Sequence, residues 1–345
     1  MASISSVRVG IIGYGYTGQQ LARALKHVQN ATLVAIADVN EANRRQASNP
    51  VFADYRDLLK DPSVDAVCIC LPHALHEEVA VAAIEAGKDL LVEKPLCISV
   101  AAGQRVCDLA RKAEKILMVE MTHRFLQPLI DARGIISDEA IGEILAINDV
   151  VVEDFGLFGA PPSWMFERTI AGGGVGLTSG IHLFDHVMWL AGQPLTLESA
   201  RLMRSQNFGD VEDTASFSLH LENGAPVHIL LCTRANGSGL EGMINIYGSK
   251  GTLRVRPWGG WRLETTERVD ERTYFRPETP VPERALAGMT GAMKEFISAV
   301  RERRQPDPAP QASLVSQRLI EQAYRNNQAT ASVQDKNRRG FSTVI

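Results

Sequence analysis

The fold of this chain is decided near its start, where residues 7–18 read VRVGIIGYGYTG. A short β-branched run, Val7 to Ile12, predicts a buried strand, and the glycine-rich motif that follows opens a helix. In such a turn Gly13 permits the tight bend, and Gly15 lets backbone N–H groups approach a pyrophosphate. Gly18 allows the helix to pack closely on the strand. The segment therefore predicts the first strand, turn and helix of a dinucleotide-binding domain.

An acidic residue supports this interpretation. Asp38 ends the next predicted strand, 20 residues after Gly18, where a carboxylate accepts hydrogen bonds from ribose hydroxyls and repels a 2′-phosphate. We therefore expect NAD as the cofactor. Arg44 and Arg45 follow closely and are compatible with a phosphate, so NADP stays open. The expected cofactor contacts from this part of the chain are Gly13, Tyr14, Gly15, Tyr16, Thr17, Gly18, Asp38 and Val39.

The pattern of the chain changes near residue 125. Before it, short apolar strands alternate with helices, which predicts a doubly wound parallel sheet, that is, an α/β Rossmann domain over residues 1–125. After it, consecutive strands are separated by turns, which predicts an α+β domain over residues 126–345 with a large, mostly antiparallel open sheet. The predicted strands of this second domain are Glu143–Asp154, Leu197–Met203, Thr214–Leu221, Pro226–Cys232, Met243–Tyr247 and Thr252–Arg256, and its closing helix is Ala312–Asn327.

Composition excludes several classes of function. The 345 residues include 36 Lys and Arg against 40 Asp and Glu, which gives a formal net charge of −4. Nothing in this balance favours nucleic acid or a membrane surface as a partner. The 5 cysteines show no paired CxxC spacing, so neither a disulfide framework nor a metal site is expected. The N-terminus lacks the pattern of a signal peptide, and we expect a cytoplasmic protein.

Two further segments follow predicted strands at the edge where open α/β sheets bind ligands. The first runs from Leu71 through Pro72 and His73 to His76, and the second contains Glu93 and Lys94. We expect these residues to contact the cofactor. A lysine beside an oxidised nicotinamide can also hydrogen-bond a substrate hydroxyl or carbonyl, although a solvated loop lysine is the alternative.

A third segment, Gly172 to Asp185, begins with three glycines. A helix over about Val175 to Leu190 would place Thr178 and His182 on one face, four residues apart. There His182 could take up a proton near neutral pH; the alternative is a buried histidine bonded to backbone carbonyls. For Asp185 and His186 we favour structural packing.

Together these segments resemble the Gfo/Idh/MocA family of oxidoreductases over nearly the whole chain. The resemblance rests on the glycine turn, Asp38-Val39-Asn40, Glu93-Lys94-Pro95, His123-Arg124-Phe125, Gly172-Gly173-Gly174, Gly180-x-His182-x-x-Asp185 and Gly248-x-Lys250-Gly251. It implies NAD(P)-dependent redox chemistry on a sugar, cyclitol or sugar derivative. It also implies Lys94 as catalytic lysine, His182 as acid/base, and a homodimer or homotetramer formed through the C-terminal sheet. Arg124 would add local positive charge for the cofactor.

One position departs from the family pattern. An acidic residue usually lies four before the histidine, where this chain has Thr178, which is the third expected catalytic residue beside Lys94 and His182. A threonine offers only neutral hydrogen bonds, so His182 should titrate lower than in relatives with a carboxylate. The expected substrate contacts are Lys94, Glu153, Asp154, Trp164, Arg168, Thr178 and His182, with only one of the two adjacent carboxylates facing the pocket and core packing as the alternative for the tryptophan.

The working hypothesis is a dehydrogenase in which His182 removes a hydroxyl proton, Lys94 stabilises the oxyanion, and hydride passes to the nicotinamide. Three alternatives stay open. They are an NADPH-dependent ketosugar reductase, a cofactor-binding sugar-sensing regulatory protein without turnover, and NAD-dependent glycosidic chemistry through transient oxidation.

Overall fold

The computed structural model describes residues 6–154, 161–204, 209–234, 240–276 and 278–340. Its first half forms a six-stranded, fully parallel sheet in the order β3-β2-β1-β4-β5-β6. The strands are β1 (Val7–Ile12), β2 (Ala31–Ala37), β3 (Val51–Phe52), β4 (Ala66–Ile69), β5 (Asp89–Glu93) and β6 (Leu117–Glu120). This order reverses direction between β1 and β4, which is the crevice where doubly wound sheets bind ligands. The predicted Rossmann sheet is confirmed.

Helices cover both faces of this sheet. They are α1 (Tyr16–Leu25), α2 (Glu41–Arg44), α3 (Tyr55–Lys60), α4 (His76–Glu85) and α5 (Val100–Lys112). Residues of α3, α4 and α5 pack on one face, and α1 packs on the other. Because both faces are covered, β4 is buried and apolar along its whole length, and β1 is exposed only at Arg8.

The second half is built on an eight-stranded sheet in the order β14-β13-β12-β11-β7-β10-β9-β8. Its strands are β7 (Ile144–Asp154), β8 (Leu195–Met203), β9 (Thr214–Leu221), β10 (Pro226–Arg234), β11 (Glu241–Gly248), β12 (Gly251–Arg256), β13 (Gly260–Thr265) and β14 (Val269–Thr273). All neighbours pair antiparallel except β7 and β10, which run parallel. The prediction of a mostly antiparallel sheet is confirmed.

The remaining helices are α6 (Gln127–Ser137), α7 (Arg168–Ala171), α8 (Val175–Thr178), α9 (Gly180–Ala191), α10 (Val281–Glu302) and α11 (Pro310–Gly340). The inner face of the second sheet packs against α9, where the ring of Phe184 meets that of Phe217 edge to face with centroids 4.9 Å apart. Within the described residues, no helix combines the length and apolar character needed to cross a membrane.

Helix α10, which begins at Val281, was not predicted. Its apolar residues Met289, Met293 and Phe296 join the core on the α1 side of the first sheet. The chain thus returns to the first sheet after completing the second. The domain boundary near residue 125 stays a prediction.

Candidate active site

The glycine turn after β1 is shaped by backbone crowding. Gly13 has a φ of +90°, in the left-handed region, and a Cβ there would lie 2.1 Å from the carbonyl oxygen of Cys70. A Cβ on Gly18 would lie 2.0 Å from the carbonyl oxygen of Gly13. Gly15 differs, since no described atom outside its own chain neighbours lies within 4 Å of the corresponding position. The turn therefore leaves open space at the start of α1, which fits the approach of a pyrophosphate.

The carboxylate of Asp38 closes one side of this turn. Its Oδ2 accepts hydrogen bonds from the backbone N–H of Tyr14 (2.6 Å) and from the side-chain amide of Asn43 (3.0 Å). Its Oδ1 accepts from the backbone N–H of Asn40 (2.7 Å). A carboxylate offers about four acceptor positions. The position that is left fits one ribose hydroxyl, and the charge opposes a 2′-phosphate.

Arg44 lies beside this carboxylate but is already engaged. Its Nη1 donates to the carbonyl oxygens of Asp38 (2.7 Å) and Val39 (2.9 Å). The side chain of Val39 is exposed. Arg44 is thus held against the strand end by backbone contacts, and its charge is close to the place where a 2′-phosphate would lie.

The loop after β4 passes from Leu71 and Pro72 into a 3₁₀ turn over His73–Leu75. His76 is fully buried beneath this loop, with Nδ1 2.8 Å from the carbonyl oxygen of Pro95 and Nε2 2.9 Å from that of Leu71. Both ring nitrogens are therefore occupied by backbone. His76 ties the loop after β4 to the loop after β5.

His73 joins the first half of the chain to the second. Its Nδ1 lies 2.8 Å from the carbonyl oxygen of Ala171, and the ring of Trp164 packs edge-on against it with centroids 4.8 Å apart. Burial lowers the pKa of His73 to about 3, so the ring is neutral near pH 7. The contacts bring Trp164 to the same edge of the first sheet.

Lys94 makes the contact that assembles the site. Its Nζ donates to the carbonyl oxygen of Thr178 at 2.6 Å, across from the end of β5 to the end of α8. This hydrogen bond links the parallel sheet directly to the segment that carries His182. Lys94 is therefore not a solvated loop lysine.

Two carboxyl groups lie beneath Lys94. Glu93 and Glu120 are paired in register on β5 and β6, and each has one buried oxygen without a partner among the described residues. The other oxygen of Glu120 accepts from the hydroxyl of Thr122. Burial and the neighbouring Glu120 raise the pKa of Glu93 to about 8, and burial also raises that of Glu120. Two like charges this close disfavour double ionisation.

The predicted continuous helix over Val175–Leu190 is wrong, because α8 and α9 are separated at Ser179. In an unbroken helix the N–H of His182 would donate to the Thr178 carbonyl. Here it donates to the carbonyl of Ser179 (3.1 Å), and the Lys94 ammonium occupies the Thr178 carbonyl instead. The Thr178 hydroxyl donates to the Gly174 carbonyl (3.0 Å).

His182 is buried on α9, close to Lys94. Burial lowers its pKa well below the usual value, and the neighbouring His123 and Lys94 lower it further. Its ring lies parallel to that of His123, with centroids 3.9 Å apart and planes within 9°. Within the described chain, its Nδ1 has no hydrogen-bond partner. The ring is therefore neutral near pH 7 and able to accept a proton.

The two adjacent carboxylates at the end of β7 differ in their surroundings. Glu153 accepts from the Ser179 hydroxyl at 2.5 Å, which places it beside the break between α8 and α9. Burial raises its pKa, and the positive charge of Lys94 opposes that shift. Strand alternation turns Asp154 to the opposite face of the sheet. Of the two, the structure brings Glu153 to the site.

The two predicted arginines are both paired with buried carboxylates. Arg124 makes a two-pronged contact with Asp185 (2.8 and 2.6 Å). Arg168 reaches Glu212 (3.3 Å), and its backbone N–H donates to Asp210 (2.6 Å). Glu212 also accepts from the backbone N–H groups of Gly174 (3.0 Å) and Gly176 (3.1 Å), at the start of α8. These arginines are thus engaged in fixing the loops around the site.

The sequence interpretation missed three residues of this centre. Glu120 follows a predicted strand directly, and its place in a parallel sheet is a signal that it lies beside Glu93. His123 appeared only as part of a motif. Ser179 gave no signal, because its role depends on the break in the helix and on Glu153 reaching it.

Comparison with known proteins gives a consistent result. Residues 7–121 match the family described as "Oxidoreductase family, NAD-binding Rossmann fold", and residues 129–254 match the "GFO/IDH/MocA C-terminal domain". A myo-inositol 2-dehydrogenase of Thermotoga maritima is 29% identical over 257 residues, covering 72% of this chain and 74% of the relative. A levoglucosan dehydrogenase of Pseudarthrobacter phenanthrenivorans is 26% identical over 286 residues, covering 72% and 73%.

Solved structures share the whole architecture. An oxidoreductase domain protein from Kribbella flavida superimposes with a TM-score of 0.83 at 25% identity, covering 94% of this chain and 98% of that one. A levoglucosan dehydrogenase in complex with NADH and levoglucosan gives 0.79 at 23% identity, covering 93% and 98%, and supports the fold. With both family domains matched in order along one chain, the protein belongs to the Gfo/Idh/MocA family of NAD-binding oxidoreductases.

Proposed function

We propose that this protein is an NAD-dependent dehydrogenase that oxidises a CH–OH group of a sugar, cyclitol or sugar derivative. The observation that carries the proposal is the 2.6 Å hydrogen bond from Lys94 Nζ to the Thr178 carbonyl. It brings a positive charge and a neutral, proton-accepting imidazole, His182, to one place at the ligand-binding edge of the parallel sheet. The relatives named for inositol and levoglucosan dehydrogenation support this substrate class.

The residues of the site have different roles in the proposed reaction. NAD, when bound, supplies the acceptor for the hydride. His182, held neutral by its lowered pKa, takes the proton of the substrate hydroxyl. Lys94 stabilises the negative charge that develops on the same oxygen. The Thr178 hydroxyl donates its hydrogen bond to the Gly174 carbonyl. Toward a substrate, its side chain can therefore only accept a hydrogen bond.

In the unliganded protein the lowered pKa leaves the His182 ring neutral near pH 7, which is the state required of a group that accepts the substrate proton. The NADPH-dependent ketosugar reductase would use the same pair of side chains in the reverse direction, and the charge of Asp38 opposes its cofactor. A sugar-sensing protein without turnover does not need the lysine and the histidine to meet.

We further propose which groups face the ligands. Glu153 and Trp164 lie at the edge of the site and suit a polyol through hydrogen bonding and ring contact. Asp38 would bind the adenosine ribose, with the pyrophosphate at the start of α1. Arg168 and Arg124 would act indirectly, by holding the surrounding loops.

The proposal extends to assembly and location. The outer face of the eight-stranded sheet carries an apolar row in which Val150 is paired with Leu230 on one side and Met243 on the other. Such a face suits subunit contact, and we propose a homodimer or homotetramer formed through it, in the cytoplasm, with domains over residues 1–125 and 126–345. Light scattering of the wild type and of Leu230→Lys tests the assembly, because a monomeric wild type would contradict it.

A spectrophotometric screen tests the activity. NADH formation is followed at matched NAD and NADP concentrations over cyclitols, aldoses and sugar acids, and NADH consumption over their keto forms. We expect oxidation of at least one polyol with NAD and loss of that activity in His182→Ala. His220→Ala is the matched control, since His220 pairs with Glu198 on the surface. Absence of any turnover, a strong NADPH preference, or an active His182→Ala enzyme would contradict the assignment.

A further inference from the structure

A row of polar side chains continues from the site into the protein behind it. His123 Nδ1 lies 2.8 Å from His186 Nε2, and His186 Nδ1 lies 3.0 Å from Asp149 Oδ2. His186 and Asp149 are fully buried, on α9 and β7 respectively. The row therefore leads from the second sheet, through the helix that carries His182, to the 3₁₀ turn Thr122–Phe125 at the end of β6.

The row fixes the ring of His123 whichever end holds the proton. When Asp149 is ionised it can only accept, so His186 donates from Nδ1 and its Nε2 accepts from the Nδ1–H of His123. When Asp149 holds a proton, each bond reverses, and His123 Nδ1 accepts. In both arrangements His123 is hydrogen-bonded at Nδ1. Trp258 also packs edge-on against the ring, with centroids 4.9 Å apart.

His182 lacks an equivalent anchor of its own. No described residue hydrogen-bonds its Nδ1, whose neighbourhood is buried. Tilting of the imidazole plane about its last side-chain torsion would turn the ring nitrogens away from a substrate. The parallel contact with His123, at 3.9 Å between centroids, covers one face of the ring and restricts that tilting. The orientation of His182 thus depends on the flat face of His123.

We propose that His123 is a positioning residue, whose flat face fixes the plane of the His182 ring. This inference rests on the proposed function, in which His182 accepts the substrate proton. Misorientation of a reacting group by about 1 Å is sufficient to slow a step by about a hundredfold. The charged or titratable groups that face the two rings are Lys94 from the end of β5, His186 from α9 and, behind it, Asp149 from β7.

Two substitutions distinguish the effect of the flat face of the His123 ring from the effect of its volume. His123→Phe keeps a planar ring, whereas His123→Leu fills similar space without one, and both remove the hydrogen bond to His186. We expect His123→Leu to lower kcat at least about tenfold with the KM values for sugar and NAD changed less than about twofold. His123→Phe should retain at least about a third of the wild-type kcat.

A second readout does not depend on turnover. Histidine side-chain NMR of the unliganded protein, assigned with His182→Ala, should show one sharp set of His182 ring signals in the wild type and in His123→Phe. In His123→Leu these signals should broaden or split. Sharp, unchanged His182 signals in His123→Leu, or equal kcat for the Leu and Phe variants, would overturn the proposal. An active His182→Ala enzyme would overturn the base assignment alone, because the NMR comparison still reports on ring orientation.

Discussion

Removing one carboxyl from the pair Glu93 and Glu120 is expected to change how the free energy of unfolding depends on pH. Glu93 has an ordinary pKa of 4.5, which burial first and then Glu120 raise to about 8 in the folded protein. Between these two values the folded chain holds a proton that the unfolded chain has released. A raised pKa therefore stabilises the fold at low pH, and this stabilisation is lost progressively as the pH rises from about 4.5 to about 8.

The magnitude follows from the size of that window. One bound proton changes the free energy of unfolding by about 1.4 kcal/mol per pH unit. Between pH 5.5 and 7.5, Glu93 alone should therefore remove about 3 kcal/mol of stability from the wild type. Glu93→Gln abolishes this contribution. Glu120→Gln removes both the like-charged neighbour and the raised pKa of Glu120 itself, so its effect has the same direction.

Urea unfolding followed by circular dichroism at pH 5.5, 6.5 and 7.5 measures the difference. The buried histidines and the other carboxyls titrate in every variant, so their contributions cancel when variants are subtracted from the wild type. Glu85→Gln is the matched control, because Glu85 is exposed on α4. If the free energy of unfolding of Glu93→Gln depends on pH in the same way as that of the wild type and of Glu85→Gln, then Glu93 ionises normally. That result would contradict a buried carboxyl pair that shares one charge beneath Lys94.

Three further results are expected. Asp38→Ser should lower the KM for NADP at least about tenfold relative to that for NAD, because the carboxylate that opposes the 2′-phosphate is gone while Arg44 stays; unchanged cofactor selectivity in steady-state assays would refute this. Gly13→Ala should abolish soluble folded protein or NADH binding, since its Cβ would lie 2.1 Å from a carbonyl oxygen, whereas Gly134→Ala on α6, where no described atom crowds the site, should leave both intact. Glu212→Gln should lower the free energy of unfolding by about 3 kcal/mol, measured in urea, because the amide cannot serve all the donors that the buried carboxylate accepts from.

The parallel sheet and its glycine turn could be predicted because their physical causes are local. Strands buried on both faces must be apolar, and a turn with φ of +90° that abuts a carbonyl requires glycine. The same reasoning predicted Asp38 at a strand end. For β9, strict alternation of inward and outward residues gave the bounds Thr214–Leu221 that the structure has.

Other elements carried weaker local signals. Strand β14 forms the edge of the second sheet and is largely exposed, and β13 beside it has a single buried residue, so neither has an apolar run. Helix α10 does have a helical pattern of buried residues, including Ala285, Met289 and Phe296, although prolines flank and enter its first turn.

The centre of the site depends on contacts between distant parts of the chain. At the break between α8 and α9, an ammonium from the first sheet occupies the Thr178 carbonyl that a helical N–H would otherwise use. The stacking of His123 on His182 joins residues from the end of β6 and from α9. Neither contact follows from spacing along the sequence, and the pairing of Lys94 with His182 was anticipated only through the family resemblance.

The most direct test of the account is the turnover of Lys94→Ala with NAD and the polyol that the wild type oxidises fastest. The account predicts a fall in kcat of about a thousandfold, equivalent to about 4 kcal/mol of lost stabilisation of the transition state, with NADH binding retained by fluorescence titration. Lys60→Ala, at an exposed lysine on α3, should behave as the wild type. A Lys94→Ala enzyme that binds NADH and turns over within about threefold of the wild type would contradict the assignment of Lys94 to the reacting oxygen.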